Sequence, residues 1–200
     1  IEAVLTERAI NIVVQPIFSL ETGQIVGVEA LSRFDSDSGY GPDRWFADAH
    51  EVGLGVELEI LAIQTALTQA ATLPAHCYVS VNVSPATLNS PALAAAVTTG
   101  PVAADRIVLE LTEHVSVQDY DALIGALAEL RARGLRLAID DAGAGFASFR
   151  HILRLRPDLI KIDQAIIREI DREPAHRALA AALVMFVLEV GSTTIVAEGV

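Results

Sequence analysis

Short apolar runs alternate with longer stretches of helical periodicity along most of the chain. The apolar runs are rich in Val, Ile and Leu and cover residues 12–18, 24–30, 78–83, 106–111, 135–139, 159–162 and 193–197. Helical patterns lie between most of them and cover residues 43–52, 56–72, 119–133 and 174–190. Strands that alternate with helices of this length pair in parallel, so the pattern predicts an α/β fold built on a parallel sheet.

The first two apolar runs are joined by a short turn that contains Glu21-Thr22-Gly23. This turn is too short for a crossover helix and therefore predicts an antiparallel hairpin. Seven strands at this spacing predict a modified TIM-type (β/α)8 barrel with an antiparallel first strand. A complete barrel takes about 250 residues, so the C-terminal β/α unit is expected to be missing from this chain. An open doubly wound sheet is the alternative, and the lack of a Gly-rich loop after the first strand disfavours it.

Composition indicates one folded domain over residues 1–200. The chain has 200 residues, of which 52% are hydrophobic, and this is enough for one sizeable core. With 14 basic and 26 acidic residues, the formal net charge is −12. This charge argues against binding of a nucleic-acid polymer and against contact of this domain with an anionic membrane surface.

The cellular setting is expected to be the cytoplasm. Cys77 is the single cysteine, which rules out an internal disulfide and fits a reducing compartment. The longest apolar run, residues 178–188, is shorter than the ~20 residues that cross a bilayer. Because the chain opens with Ile1 and not with Met, we expect it to be excised from a longer multidomain protein, and that parent chain can itself be anchored in a membrane.

A polar side chain follows the apolar part of each strand from the second to the seventh. In a barrel, the carboxyl ends of parallel strands meet at one rim, where active sites are built. A lone acid at a strand end is usually a helix cap or a solvated loop residue, but six strands that share the feature predict one common site. The residues are Glu29, Asn82, Glu110 with Glu113, Asp140 with Asp141, Lys161 with Asp163, and Glu198.

Crowded carboxylates need a cation, since two like charges about 4 Å apart repel by roughly 4 kcal/mol at an effective dielectric of 20. The candidate ligands are all oxygen atoms, which favours Mg²⁺ or Mn²⁺, allows Ca²⁺ as an inhibitory occupant and disfavours Zn²⁺. Asp140 and Asp141 are adjacent and suit two ions, with Asp140 between them. Lys161 is the only lysine among 14 basic residues, and its compact ammonium group suits a role at such a site.

The same residues resemble the EAL domain of cyclic di-GMP phosphodiesterases. Glu29-Ala30-Leu31 matches the signature tripeptide, in a context that includes Gln15 and Arg33. The remaining blocks follow in the family's order: Asn82-Val83-Ser84-Pro85, Glu110-Leu111-Thr112-Glu113, Asp140-Asp141, Lys161-Ile162-Asp163 and Glu198-Gly199-Val200. In the loop after the fifth strand, the chain has Ala142, Ala144 and Phe146 where the family more often has Phe, Thr and Tyr.

The resemblance implies hydrolysis of cyclic di-GMP to the linear dinucleotide pGpG in bacterial second-messenger signalling. It implies that Lys161 orients the attacking water, that Glu113 fixes the loop after the fifth strand, and that Asp163 supports the cluster. Arg33 and Gln15 would bind substrate, with Arg33 offering two donors to a phosphate. The implied metal ligands, shared between two ions, are Glu29, Asn82, Glu110, Asp140, Asp141 and Glu198.

Two other functions stay open at this point. One is a non-catalytic cyclic di-GMP receptor or scaffold, although degenerate members of the family usually lack the metal-binding acids. The other is an enolase-like lyase that uses Mg²⁺, acids and a lysine base. The resemblance also implies a homodimer, for which the apolar helix over residues 178–188 is the candidate surface, and sensor or GGDEF domains elsewhere in the parent chain.

Overall fold

In the described part of the chain, a seven-stranded sheet, ordered β1 to β7 as in the sequence, forms the centre of the fold. The computed structural model describes residues 1–34, 39–112, 117, 119–143 and 147–200. β1 and β2 pair antiparallel and every later pair is parallel, as the apolar pattern predicts. The strands are β1 (Asn11–Phe18), β2 (Ile25–Arg33), β3 (Tyr78–Asn82), β4 (Ile107–Thr112), β5 (Arg136–Ala142), β6 (Leu159–Ile162) and β7 (Thr194–Ala197).

Among the described residues, the helices include the four that the periodicity predicts and five that it misses. The predicted ones are α2 (Pro42–Glu51), α3 (Gly55–Ala70), α6 (Tyr120–Arg131) and α9 (Pro174–Val190). The others are α1 (Glu2–Glu7), α4 (Pro85–Leu88), α5 (Pro91–Thr99), α7 (Ala147–Leu155) and α8 (Gln164–Arg168), with a 3₁₀ turn at Ala104–Arg106. The missed helices have nine residues or fewer, so they give little periodic signal.

Both faces of the sheet are covered by apolar side chains. On the outer face, Leu109, Leu137 and Ile160 pack against the helices that surround the sheet. On the inner face, a smaller cluster contains Tyr78, Val108, Ala138 and Leu159. Burial on both faces explains why the strands read as nearly continuous apolar runs.

Two strands continue past the residues where the sequence places their ends. β2 runs to Arg33, because its partner β1 pairs with it as far as Asn11 opposite Arg33. β5 runs to Ala142. Glu29 and Asp140 therefore lie within strands, as do Glu110 of β4 and Lys161 of β6, and the expectation that these residues end their strands is wrong.

The curled sheet is open between its first and last strands. Within the described ranges, no ladder joins β7 to β1, and Val13 and Val14 of β1 are 44% and 49% exposed. On α9, Ala180 and Leu183 are buried while Met185 and Leu188 are exposed. One side of this apolar helix thus packs on the core, and the other side is exposed. In the part of the chain that is described, no helix combines the length and apolarity that a membrane span requires.

Candidate active site

The alternation of side chains along the strands builds a polar layer directly above the inner apolar cluster. Residues two positions apart on a strand share a face. Tyr78, Val108, Ala138, Leu159 and Val196 belong to or contact the inner cluster. Each of these residues is followed two positions later by a polar residue on the same face. The polar residues are Ser80, Glu110, Asp140, Lys161 and Glu198, and they form one layer across five strands or their ends.

Lys161 lies at the centre of this layer. Its Nζ is 3.2 Å from Glu29 Oε2, 3.0 Å from Glu110 Oε2 and 3.0 Å from Asp140 Oδ1. It also lies 2.7 Å from Glu198 Oε1. The Lys161 side chain is only 3% exposed. One ammonium group therefore contacts four carboxylates that come from four different strands or their ends.

Burial and charge perturb the ionisation of this group. Burial disfavours the Lys161 ammonium, but Glu110, Asp140, Glu29 and Glu198 outweigh that effect and raise the lysine pKa above its ordinary value. Burial raises the pKa of Glu110, and Lys161 opposes the rise. Burial also raises the pKa of Glu198, again opposed by Lys161. The neighbouring carboxylates thus favour the charged form of Lys161, and one ammonium group faces four acids.

The carboxylates form two overlapping sets with the spacing that a metal ion requires. Glu29, Glu110 and Asp140 each offer an oxygen within 4.8 Å of the others, and so do Asp140, Asp141 and Glu198. Asp140 belongs to both sets. An all-oxygen donor set with excess negative charge fits hard divalent cations such as Mg²⁺, Mn²⁺ or Ca²⁺.

Asp141 has a strained backbone at the point where β5 loses its regular pairing. Its φ is +53°, in the left-handed region that non-glycine residues rarely occupy. The β5–β6 register shifts between Ile139 and Ala142, and the Asp141 amide donates to Asp140 Oδ1 at 3.0 Å. Burial, Asp140 and Asp163 raise the pKa of Asp141 to about 6. The irregular backbone turns Asp141 toward the same acidic group as Asp140.

Asp163 lies beside Asp141 and begins α8. Its Oδ1 accepts a hydrogen bond from the Ala165 amide at 2.6 Å, which caps the helix, and its side chain is within hydrogen-bond reach of Asp141. The cap fixes Asp163 next to Asp141, and the supporting role predicted for Asp163 stays a prediction.

Gly143, just after the aspartate pair, has no room for a side chain. Its φ is +107°, and a Cβ atom would overlap Ile166 Cδ1 and lie 3.1 Å from Leu179 Cδ2. We expect Gly143→Ala to lower the free energy of unfolding by about 2 kcal/mol, from steric overlap and backbone strain together. Urea unfolding measures this change.

Gly125 in α6 provides the matched control, because nothing lies within 4 Å of a Cβ built there. Gly125→Ala should raise stability by roughly 0.5–1 kcal/mol, as expected in a helix interior. Equal unfolding midpoints for Gly143→Ala and the unmodified protein would refute the tight packing of this loop.

The predicted substrate and amide ligands lie around the acidic group. Asn82 ends β3 opposite Glu110 of β4, and it is exposed. Gln15 of β1 pairs with Glu29 of β2. Arg33 ends β2, is exposed, and donates from Nη1 to the Ser32 carbonyl at 2.7 Å. Glu113, Ala144 and Phe146 lie outside the described residues, so the role predicted for Glu113 stays a prediction.

A pocket of about 530 Å³ opens beside the acidic group. Arg33, Asn82, Asp140 and Asp141 line its polar side, and its apolar side includes Ile12 and Val81. Its size lies in the range of small-molecule sites. The pocket thus brings a basic side chain, an amide and two of the acids to one opening.

Two polar residues at the site have no counterpart in the sequence prediction. Ser80 is buried and its hydroxyl contacts Glu110 Oε1. Glu59 of α3 lines the pocket and accepts a hydrogen bond from the Ser84 amide at 2.8 Å. Ser80 carries a signal that could have been used, because it is a polar residue in an otherwise apolar buried strand. Glu59 carries none, since an acid within a helix is ordinary.

Comparison with known proteins identifies a family over the whole chain. A family model of the EAL domain matches residues 2–200. The probable cyclic di-GMP phosphodiesterase PdeI of Escherichia coli (strain K12) is 31% identical over 171 residues, which cover 80% of this chain and 22% of that protein. The chain spans about a quarter of the length of the curated relatives it matches first.

Solved structures share the fold. The PaMucR phosphodiesterase in complex with cyclic di-GMP has a TM-score of 0.86 at 27% identity, over 100% of this chain and 84% of that chain. The manganese and cyclic di-GMP complex of BlrP1 from Klebsiella pneumoniae at pH 6 has a TM-score of 0.83 at 28% identity, over 96% of this chain and 49% of that chain. These likenesses confirm the predicted barrel-type α/β fold.

Proposed function

This chain belongs to the EAL-domain family, and we propose that it hydrolyses one phosphodiester bond of cyclic di-GMP to give pGpG with the help of divalent cations. One observation carries the proposal: Asp140 is shared by two sets of clustered carboxylates at the edge of a pocket of about 530 Å³. Two cations at such a site stabilise the charge of a phosphoryl transition state. The manganese complex of BlrP1 with cyclic di-GMP supports the choice of cation and substrate.

The first cation would be held by Glu29, Asn82, Glu110 and Asp140, and the second by Asp140, Asp141 and Glu198. Three of the first set have oxygens within 4.8 Å of one another, as do all three of the second. Mg²⁺ and Mn²⁺ are the proposed activating ions, and Ca²⁺ is the proposed inhibitory ion, since its larger radius and flexible coordination suit catalysis less well.

Lys161 is proposed to orient the attacking water by donating a hydrogen bond from Nζ. Its position among Glu29, Glu110, Asp140 and Glu198 favours the protonated form, which donates hydrogen bonds. The same position argues against an enolase-like mechanism, in which a lysine must accept a proton.

Arg33 is proposed to bind a phosphate of the substrate. It lines the pocket beside Asp140 and Asp141, and a guanidinium group can donate two parallel hydrogen bonds to a phosphate. Because the protein as a whole carries a formal charge of −12, a dianionic ligand needs local positive charge of this kind. Gln15, opposite Glu29, is the second proposed substrate contact.

Incubation of the purified protein with cyclic di-GMP and Mn²⁺ tests the proposal. Chromatography should show conversion to pGpG, and removal of the metal with EDTA should abolish it. Tight binding of cyclic di-GMP without any product, at saturating Mn²⁺ or Mg²⁺, would instead identify a receptor module and overturn the hydrolase proposal.

We also propose that this domain works in the cytoplasm, as a homodimer, within a larger signalling protein that carries sensor or GGDEF domains. The exposed apolar side of α9, with Met185 and Leu188, supports a protein interface. The chain matches about a quarter of the length of its first curated relatives, which supports additional domains. Analytical ultracentrifugation that shows only monomers at high concentration would exclude the homodimer.

A further inference from the structure

The hydroxyl of Ser80 is buried against a carboxylate that the proposed mechanism assigns to the first cation. Ser80 and Glu110 are each 1% exposed. Ser80 Oγ donates a hydrogen bond to Glu110 Oε1, and Lys161 Nζ lies 3.0 Å from Glu110 Oε2. The two oxygens of Glu110 are thus held by two different donors from two different strands.

The position of Ser80 in β3 is determined by the strand itself. Ser80 lies opposite Glu29 of β2 and opposite Val108 of β4, and Asn82 follows it two residues later on β3. Its neighbours Val79 and Val81 point to the opposite face, into the core between the sheet and the helices. The serine side chain is therefore directed into the inner layer, between the acid of β2 and the acid of β4.

A polar group at this depth costs free energy unless it has a partner. An alanine would fill the same position in the apolar strand without that cost. The only hydrogen-bond partner that the structure gives to the Ser80 side chain, among the described residues, is Glu110. The hydrogen bond to Glu110 therefore accounts for the presence of a serine at this position of the strand.

We propose that Ser80 is a positioning residue that holds the Glu110 carboxylate in the orientation needed to bind a divalent cation. This inference rests on the proposed function, in which Glu110 is a metal ligand. Hydrogen bonds from residues behind a ligand fix its rotamer and its basicity, and their loss typically lowers metal affinity about 10- to 100-fold. Ser80 is assigned no ligand of its own and acts through Glu110.

Mn²⁺ affinity, measured by isothermal titration calorimetry, separates this role from a purely structural one. For Ser80→Ala, we expect the dissociation constant for Mn²⁺ to rise about tenfold. Ser80→Thr retains the hydroxyl and should bind Mn²⁺ within about threefold of the unmodified protein. Val79→Ala serves as the matched control, because it removes buried volume from the same strand on the face away from the site.

The outcomes distinguish the inference from the function on which it rests. Mn²⁺ affinity of Ser80→Ala within about twofold of an unmodified protein that does hydrolyse cyclic di-GMP would overturn the role of Ser80 alone. A loss of the same size in Val79→Ala would also overturn it, by showing a general effect of β3 instability. If the unmodified protein neither bound Mn²⁺ nor formed product, the proposed function would fail, and this inference with it.

Discussion

Replacement of Lys161 by Met is expected to lower the free energy of unfolding by about 3 kcal/mol in metal-free buffer. The side chain is 3% exposed, and its Nζ contacts four carboxylates at 2.7–3.2 Å. Without the ammonium group, these acids face one another in a buried layer with no counter-charge. Removal of one partner from a buried ionic group is costly because the remaining charges stay desolvated.

The decrease in the free energy of unfolding caused by Lys161→Met should become larger as the pH rises from about 5 to 8. Burial already raises the pKa of Glu110 and of Glu198, and the loss of the lysine removes the charge that opposes this rise. An acid whose pKa is raised in the folded state binds more protons there than in the unfolded state, so stability falls as the pH increases. Mn²⁺ should restore part of the stability of the variant, since a cation replaces the missing charge.

Urea unfolding at several pH values, with and without Mn²⁺, measures these effects. Arg44→Met is the matched control, because it removes a cation from an exposed ion pair. In that pair, Arg44 Nε lies 2.9 Å from Asp48 Oδ1. That change should cost no more than about 0.5 kcal/mol. A stability of Lys161→Met within about 1 kcal/mol of the unmodified protein across this pH range would contradict the central role of the lysine charge.

The location of this cluster could be predicted from the sequence, because two simple rules act together. Apolar runs mark buried parallel strands, and the polar residue that follows each run faces the common rim. The rules predict Glu110, Lys161 and Glu198 as neighbours although they are distant along the chain. The structure places all three within one ionic group.

The details that failed depend on pairing and packing, which a one-dimensional pattern does not contain. Glu29 was expected at the end of a strand, but the hairpin partner β1 extends β2 to Arg33. The hydrophobic periodicity does not predict the short helix α5, because nine residues form too few turns for a clear pattern. The helix is nevertheless capped by Ser90 and begins at Pro91. Local capping residues carried the information that the hydrophobic pattern lacked.

The strained residue Asp141 shows a further limit of sequence reasoning. Its acidic side chain was predicted as a ligand, but nothing in the pattern indicates that its φ would be +53°. That backbone geometry arises where β5 shifts its register against β6, and it brings two consecutive side chains to one site. In a regular strand, Asp140 and Asp141 would point to opposite faces.

Glu29→Gln is expected to lower the turnover of cyclic di-GMP by at least about 10³-fold while the protein stays folded. Glutamine preserves the size of the side chain and an oxygen that can accept from Lys161, which lies 3.2 Å away. It removes one negative charge from the set formed with Glu110 and Asp140. Loss of a single group that stabilises a transition state commonly costs 10²–10³-fold in rate, and loss of a cation that this group helps to hold adds to that.

Stability should change little in Glu29→Gln, since Lys161 keeps three carboxylate partners and the side chain of Glu29 is 16% exposed. Product formation at saturating Mn²⁺, followed by chromatography, measures the rate, and thermal unfolding verifies the fold. Glu57→Gln, on the exposed side of α3, makes the same chemical change away from the site and should retain full turnover. Turnover of Glu29→Gln within tenfold of the unmodified protein would contradict the proposal that the charge of Glu29 is needed to hold an essential cation.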